Sequence, residues 1–156
     1  SLDRRQRQMC IRDRNIHGKG NAMSIIQNYK SEKVNITDSI EIEKLARLSS
    51  TYDVGFLPMP ESKVWRLASP LKRSEYLASG MIVIGVDHSG HKIKESGDWL
   101  QLFDDSEFVE ASVKAIKNIE ISRLRELQNS ARLYAESNLD WSNSVDILHR
   151  LLSKQS

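Results

Sequence analysis

Residues 69–84 have the sequence SPLKRSEYLASGMIVI, which predicts a helix followed at once by a buried strand. Ser69 is a good helix cap, and Pro70 suits the first helical position because proline has no amide proton to leave unpaired. Gly80 predicts the end of the helix. The apolar run 81–84 is rich in β-branched residues, which favours a strand covered on both faces, as in a parallel sheet.

The same alternation of short apolar runs and helical periods continues outward in both directions. Further strands are predicted at 15–16, 34–36, 54–57 and 99–103, and further helices at 22–29, 40–48, 106–118, about 124–134 and from 140 onward. The predicted order is β-α-β-α-β-α-β-α-β-α-α-α, with a helix between the fourth and fifth strands. This order predicts an α/β fold with a Rossmann-like parallel sheet and helices on both faces.

Composition excludes few classes of protein. The chain has 156 residues, of which 39% are hydrophobic and 28% charged, as in an ordinary globular domain. The formal net charge is +2, and much of the basic character lies in residues 1–14. The rest of the chain is nearly neutral, so we expect no nucleic-acid partner held by bulk charge.

The first fourteen residues stand apart from the rest. They show no hydrophobic period and no turn chemistry, and residues 9–14 resemble a translated sequencing adaptor, so we predict that 1–14 is a non-native or disordered extension and that 15–156 is the domain. The alternative is a basic arm that binds nucleic acid or membrane. Cys10 is the single cysteine, which fits a reducing compartment. With no apolar run of membrane length, we expect a cytoplasmic protein.

Ligands of open α/β sheets bind beyond the carboxyl ends of the strands. Three loops hold such positions in the predicted order, at 18–20, 58–70 and 87–91, and we expect them to converge on one crevice. The first consists of Gly18, Lys19 and Gly20, whose glycines can bring the backbone close to a ligand; the alternative is a simple tight turn.

The predicted helix start at Ser69 is the strongest candidate for an anion site. The Ser69 hydroxyl and the amides of Leu71 and Lys72 can hold a phosphate at the positive end of the helix dipole. A cation at Lys72 opposes that dipole, which a bound anion would explain. Glu75 lies one turn further on the same face and can accept hydrogen bonds from the hydroxyls of a ribose. The alternative is that Lys72 and Arg73 are solvated surface charges and that Glu75 only pairs with Lys72.

Other polar and aromatic residues are given structural roles. His88 and His91 lie in a loop without a metal-ligand pattern, so no metal is expected. Trp65 is predicted to be an exposed loop aromatic, and Trp141 to pack within the fold. Asp104 and Asp105 resemble a helix cap.

The block SPLK, then EYLASG and MIVI within residues 69–84, resembles the donor-site signature of GT-B-fold glycosyltransferases, in the large group labelled family 4 or group 1. Residues 52–58, 87–90 and 139–142 resemble further segments of that family, and the likeness covers about residues 15–154. The resemblance implies a C-terminal donor-binding domain that uses a UDP- or GDP-sugar as donor substrate, with no metal and no other cofactor.

The resemblance also implies roles for single residues. Ser69, Pro70, Leu71 and Lys72 are implied to lie along the donor diphosphate, and Glu75 to bind the ribose. Lys72 and Glu75 are implied to serve catalysis. Gly18, Lys19 and Gly20 are implied to approach the nucleotide sugar, and 61–66 to line the sugar or diphosphate side. Leu67 replaces the first of two glutamates that many relatives carry, and an upstream arginine and lysine pair is missing.

The acceptor site of such enzymes belongs to an N-terminal Rossmann-like domain that this chain lacks. The resemblance therefore implies that the chain alone is inactive, with an unknown acceptor and possible peripheral membrane association through the missing part. Two alternatives are a nucleotide-sugar epimerase of the GT-B type and a non-catalytic α/β interaction domain.

Overall fold

The computed structural model describes residues 13–68 and 70–153. Its helices and strands are β1 Arg14–His17, α1 Met23–Ile26, β2 Val34–Thr37, α2 Ile42–Ser49, β3 Val54–Leu57, α3 Lys63–Leu67, α4 Leu71–Ala78, β4 Ile82–Val86, β5 Leu100–Phe103, α5 Phe108–Asn118, α6 Ile121–Asn138 and α7 Trp141–Ser153. A 3₁₀ turn, Gln27–Tyr29, continues α1. The predicted α/β class is confirmed.

All strand pairs are parallel, as predicted. β1 pairs with β2, and β3, β4 and β5 form a three-stranded sheet in that order. The described strands thus form two sheets, where the sequence pattern predicted one. The chain divides after Leu48 into two compact units, and each unit contains one of the sheets. Hydrophobic periodicity finds strands but does not encode which strands pair, so it could not foresee this division.

The core of the second unit surrounds β4, whose five residues are all buried. Helix α4 packs on β3, β4 and α6, while α5 packs on β4 and β5. The main apolar cluster consists of Leu57, Leu77, Val83, Trp99, Leu100, Ala131 and Ala135. A continuous apolar run at β4 therefore predicted its burial correctly, because a parallel strand flanked by helices has no solvated face.

The first unit has a smaller described core. Val34 and Ile36 of β2 are buried, whereas Arg14, Asn15 and Ile16 of β1 are exposed. Arg14 pairs with Val34, so the strand begins one residue before the predicted start of the domain.

Two helix positions differ from the prediction. The loop predicted at 58–70 contains the short helix α3, which Ser62 caps by accepting a hydrogen bond from the amide of Trp65 at 3.4 Å. The helix predicted between β4 and β5 is wrong: the described residues 87–99 form turns and irregular backbone. Lys92, Lys94, Glu95 and Asp98 in this segment are exposed, and it offers no apolar face that a helix could bury.

The predicted caps are partly right. Gly80 ends α4 with φ +75°, a backbone conformation that favours glycine. At the other end, α4 begins at Leu71 and Pro70 holds the cap position, one residue later than predicted, while Ser69 lies outside the described residues. Asp140 caps α7, since its Oδ1 accepts a hydrogen bond from the amide of Ser142 at 3.2 Å.

The cap expected at Asp105 or Ser106 lies elsewhere. Helix α5 begins at Phe108, and its cap position at Glu107 makes no side-chain hydrogen bond. Asp104 instead closes the preceding turn by accepting a hydrogen bond from the amide of Ser106 at 2.9 Å. An aspartate followed two residues later by serine favours such a turn as strongly as a helix start.

The prediction that Trp141 packs within the fold is wrong for the described residues. Its side chain is 81% exposed, and none of the residues of α7 is buried. The apolar side chains of α7 do recur at helical spacing, but the described part of the chain leaves them exposed.

Candidate functional site

The start of α4 lies at the carboxyl edge of the three-stranded sheet. Strand β3 leads through residues 58–70 into α4, and α4 then returns the chain to the beginning of β4. The return is fixed by hydrogen bonds from the amide of Met81 to the carbonyl of Tyr76 and from the amide of Ile82 to the carbonyl of Asp53. Since the end of α4 is next to the strand starts, its first turn is at the opposite edge, where ligands of this fold class bind.

Lys72 and Glu75 form an ion pair at this first turn. Lys72 Nζ lies 2.7 Å from Glu75 Oε2, and the two side chains are 51% and 49% exposed. An exposed pair of this kind contributes only about 0–1 kcal/mol, because water screens it and both side chains lose freedom. The pair therefore brings together the two residues singled out from the sequence, and a ligand could open or share it at small cost.

The backbone at the start of α4 presents amide groups that have no partner within the helix. Leu71 and Lys72 occupy the first helical positions, where amides lack partners within the helix. Pro70 is extended and contributes no amide hydrogen to this turn. The side chain of Leu71 is 76% exposed. The role expected of the Ser69 hydroxyl stays a prediction, because Ser69 is outside the described residues.

The segment before α4 carries a second exposed ion pair. Arg66 Nε lies 3.6 Å from Glu61 Oε1. Trp65 is 38% exposed, as predicted, but it lies in α3 and not in a loop. Ser89 Oγ donates a hydrogen bond of 2.7 Å to the carbonyl of Arg66. This bond joins α3 to the segment after β4, so the loops that follow β3 and β4 are neighbours.

The burial of Arg73 differs from the prediction. A solvated surface charge is predicted from the sequence, yet Arg73 is only 7% exposed. Its Nη1 donates to the carbonyl of Gly90 at 2.9 Å and to the carbonyl of Lys92 at 3.0 Å. Arg73 lies four residues before the buried Leu77, on the same helix face, and this spacing is the signal that could have predicted its burial.

His88 and His91 are buried and pack against each other with their rings tilted by 34°. They are 3% and 0% exposed, and their ring centroids are 3.7 Å apart. His91 Nδ1 lies 2.7 Å from the carbonyl oxygen of Val86. Because a carbonyl only accepts, Nδ1 carries the proton and the neutral ring has its lone pair on Nε2. The sequence placed both histidines in a loop and gave no sign of this packing.

The charge state of His91 depends on its surroundings. Burial lowers the pKa of His91 from its ordinary 6.5, the hydrogen bond to Val86 opposes this shift, and His88 and Arg73 lower the pKa further. His91 is therefore neutral at neutral pH in the folded chain.

The glycine loop of the first unit lies between β1 and α1. Gly18 follows β1 and its amide donates to the carbonyl of Thr37 at 3.2 Å, while Lys19 is exposed. Gly20 has φ +138°, which disfavours any residue with a side chain. His17 Nδ1 lies 2.7 Å from Thr37 Oγ1. The convergence of this loop with the other two stays a prediction, because it belongs to the other unit.

A shallow, open depression of about 390 Å³ lies on α5. Its lining residues are Val109, Glu110, Val113, Lys114, Lys117 and Asn118. None of the site residues predicted from the sequence lines it, and it extends along the exposed face of α5 from Val109 to Asn118. We therefore place the candidate site at the start of α4.

In the part of the chain that the structure describes, no three His, Cys, Asp or Glu side chains are grouped as metal ligands. No described helix combines the length and hydrophobicity needed to cross a membrane.

Comparison with known proteins identifies no family for this chain. No protein-family model matches the chain, and no curated protein matches it. The fold and the geometry at α4 are therefore the basis of a functional interpretation.

Proposed function

We propose that this chain binds the donor substrate of a nucleotide-sugar-dependent glycosyltransferase, a UDP- or GDP-sugar, with the donor diphosphate at the start of α4. The observation that supports this most directly is that α4, which carries Lys72 and Glu75 near its start, begins at the carboxyl edge of a parallel sheet. The resemblance of residues 69–84 to the GT-B donor signature supports the same site.

In this proposal the diphosphate accepts hydrogen bonds from the amides of Leu71 and Lys72, and Lys72 Nζ turns from Glu75 toward the phosphate oxygens. The positive end of the helix dipole and the ammonium group would stabilise the charge that grows on the leaving diphosphate. Glu75 would accept hydrogen bonds from the two ribose hydroxyls. The ion pair holds both side chains at the same edge before the ligand arrives.

Transfer of the sugar would require a second domain. This N-terminal Rossmann-like domain would provide the acceptor site and close over the donor, so the chain alone would bind the nucleotide without transferring sugar. We place the enzyme in the cytoplasm, in keeping with the single cysteine.

The test is the binding of UDP and GDP to the full chain by calorimetry. Lys72→Ala removes a charge-assisted hydrogen bond, so we expect the Kd to rise about tenfold to hundredfold. We expect Glu75→Ala to weaken binding of the nucleoside diphosphate by about tenfold and to have little effect on inorganic diphosphate, which has no ribose.

Arg132 and Glu136 provide the matched control. They form an exposed ion pair on α6, with Arg132 Nε 2.8 Å from Glu136 Oε1. Arg132→Ala and Glu136→Ala should leave the Kd unchanged. Equal affinity in the Lys72 and Glu75 variants and the wild type would remove the site assignment, and the absence of UDP and GDP binding by the wild type would favour the interaction-domain alternative. Epimer formation by the complete enzyme without an acceptor would favour the epimerase.

A further inference from the structure

A buried polar cluster lies directly behind the candidate site. Arg73, His88 and His91 are each at least nine-tenths buried, in a region otherwise occupied by the apolar core. Among the described residues, Arg73 Nε, both ring nitrogens of His88, and His91 Nε2 have no hydrogen-bond partner. Buried polar atoms cost free energy when they lack partners, so three buried polar side chains beside the candidate site call for an explanation.

Arg73 connects the first turn of α4 to the segment after β4. Its guanidinium donates to the carbonyls of Gly90 and Lys92, and among the described residues it forms no ion pair with a carboxylate. An apolar side chain could fill the same volume without burying a charge. Compared with an apolar side chain, the arginine adds the two hydrogen bonds to the carbonyls.

The 87–92 segment, which runs from Asp87 to Lys92, fits closely against the chain before α4. A Cβ atom on Gly90 would overlap the carbonyl oxygens of Trp65 and Ala68. Ser89 donates to the carbonyl of Arg66 in the same region. These contacts show that the 87–92 segment packs directly against the chain that leads into α4.

We propose that Arg73 is a positioning residue that holds the 87–92 segment on the first turn of α4, and that this contact requires a neutral His91. The inference rests on the proposed function, since what Arg73 positions is the donor site at Lys72 and Glu75. Arg73 itself is buried, and its guanidinium is bonded to the carbonyls of Gly90 and Lys92.

Acid should release the contact. The charged and titratable groups around the two histidines come from α4, α6 and the 87–92 segment. They are Arg73, Tyr134 of α6, and Asp87 and Lys92, which form an ion pair of 2.8 Å. A proton on His91 Nε2 would add a buried cation beside Arg73 and the ring of His88. Since burial lowers the pKa of His91, the folded state takes up this proton less readily than the unfolded chain. The contact is therefore complete above about pH 6.5 and is lost as the pH falls through the lowered pKa.

The first experiment tests the contact without any ligand. Hydrogen exchange is measured on the full chain for the wild type, Arg73→Met and Arg73→Lys. We expect faster exchange in Arg73→Met at residues 87–92 and at the start of α4, with β4 still protected, and partial recovery in Arg73→Lys, which keeps a cation and its donors. Unchanged exchange at 87–92 in a folded Arg73→Met would overturn the inference.

The second experiment measures UDP affinity between about pH 7.5 and about pH 5.5. We expect Arg73→Met to raise the Kd about tenfold at the higher pH. His91→Asn keeps a donor for the Val86 carbonyl but does not titrate, so its Kd should rise less on acidification than that of the wild type. The ionisation of UDP itself is common to both proteins and cancels in the comparison.

The outcomes separate the two proposals. If the wild type binds UDP and Arg73→Met binds it equally well, the positioning role is wrong while the donor site stands. If the wild type binds neither UDP nor GDP, the proposed function fails, and the exchange experiment still decides whether Arg73 holds the 87–92 segment. If Arg73→Met does not fold, the pH profile of His91→Asn decides, and a profile identical to that of the wild type contradicts the inference.

Discussion

At the scale of single residues, a glycine in β3 allows close packing between the sheet and the helix that carries the candidate site. Gly55 is buried in β3, and a Cβ atom there would overlap the ring of Tyr76, which lies on α4. The ring can approach the strand only because the glycine has no side chain. Gly55 thus sets the distance between the sheet and the helix that carries the candidate site.

We predict that Gly55→Ala destabilises the chain by about 1–3 kcal/mol, since the ring must move out of a close-packed region. The measurement is the midpoint of urea unfolding. Gly18→Ala is the matched control, because a Cβ atom at Gly18 would meet nothing within 4 Å, and its effect should stay within about 0.5 kcal/mol. Equal midpoints for Gly55→Ala and the wild type would contradict the role assigned to the glycine.

At the scale of elements, α7 depends on its cap more than the other long helices do. None of its residues is buried in the described chain, so packing contributes little to its stability. Asp140 accepts hydrogen bonds from the amide and the hydroxyl of Ser142, and these bonds lower the pKa of the Asp140 carboxyl. The charged aspartate also interacts favourably with the positive end of the helix dipole.

We therefore predict that Asp140→Ala frays the first turn of α7 while the sheet stays intact. Amide exchange at residues 141–144 should become several-fold faster, and exchange in β4 should not change. Asp140→Asn keeps the hydrogen-bond acceptor and should remain close to the wild type. Identical exchange in the alanine and asparagine variants would show that the cap does not stabilise α7.

At the scale of the whole molecule, the two compact units differ in how much core each contains. The main apolar cluster lies entirely in the second unit, between Leu57 and Ala135. The buried hydrophobic residues described in the first unit are Val34 and Ile36. Cooperative unfolding requires a core of sufficient size, which the second unit has by itself.

We predict that residues 49–153 fold without the first unit. The measurement is a cooperative thermal transition of the shortened chain, followed by circular dichroism, with Leu77→Ala as the control. Removing the fully buried Leu77 side chain should cost about 2–5 kcal/mol and abolish or strongly lower that transition. A shortened chain without any cooperative transition would show that the core needs residues 13–48.

The sequence by itself determined the α/β class, most strand and helix positions, and the end of α4 at Gly80. These follow from local chemistry: apolar runs, helical periods, and glycine at a positive φ. It also brought Lys72 and Glu75 together, because residues three apart on a helix are neighbours. The helix wrongly expected between β4 and β5 came from extending the alternating order of strands and helices, and the cap expected at Asp105 or Ser106 came from residues that also favour a turn.

Only the tertiary structure decided which strands pair and which polar groups are buried. Arg73, His88 and His91 lie on a helix and in a loop far apart in sequence, and they meet because β3 and β4 are neighbours in a parallel sheet. The helical spacing of Arg73 and Leu77 indicates a shared face, but it does not indicate that the carbonyls of Gly90 and Lys92 lie against that face. The contact between Arg73 and the 87–92 segment is therefore a property of the fold.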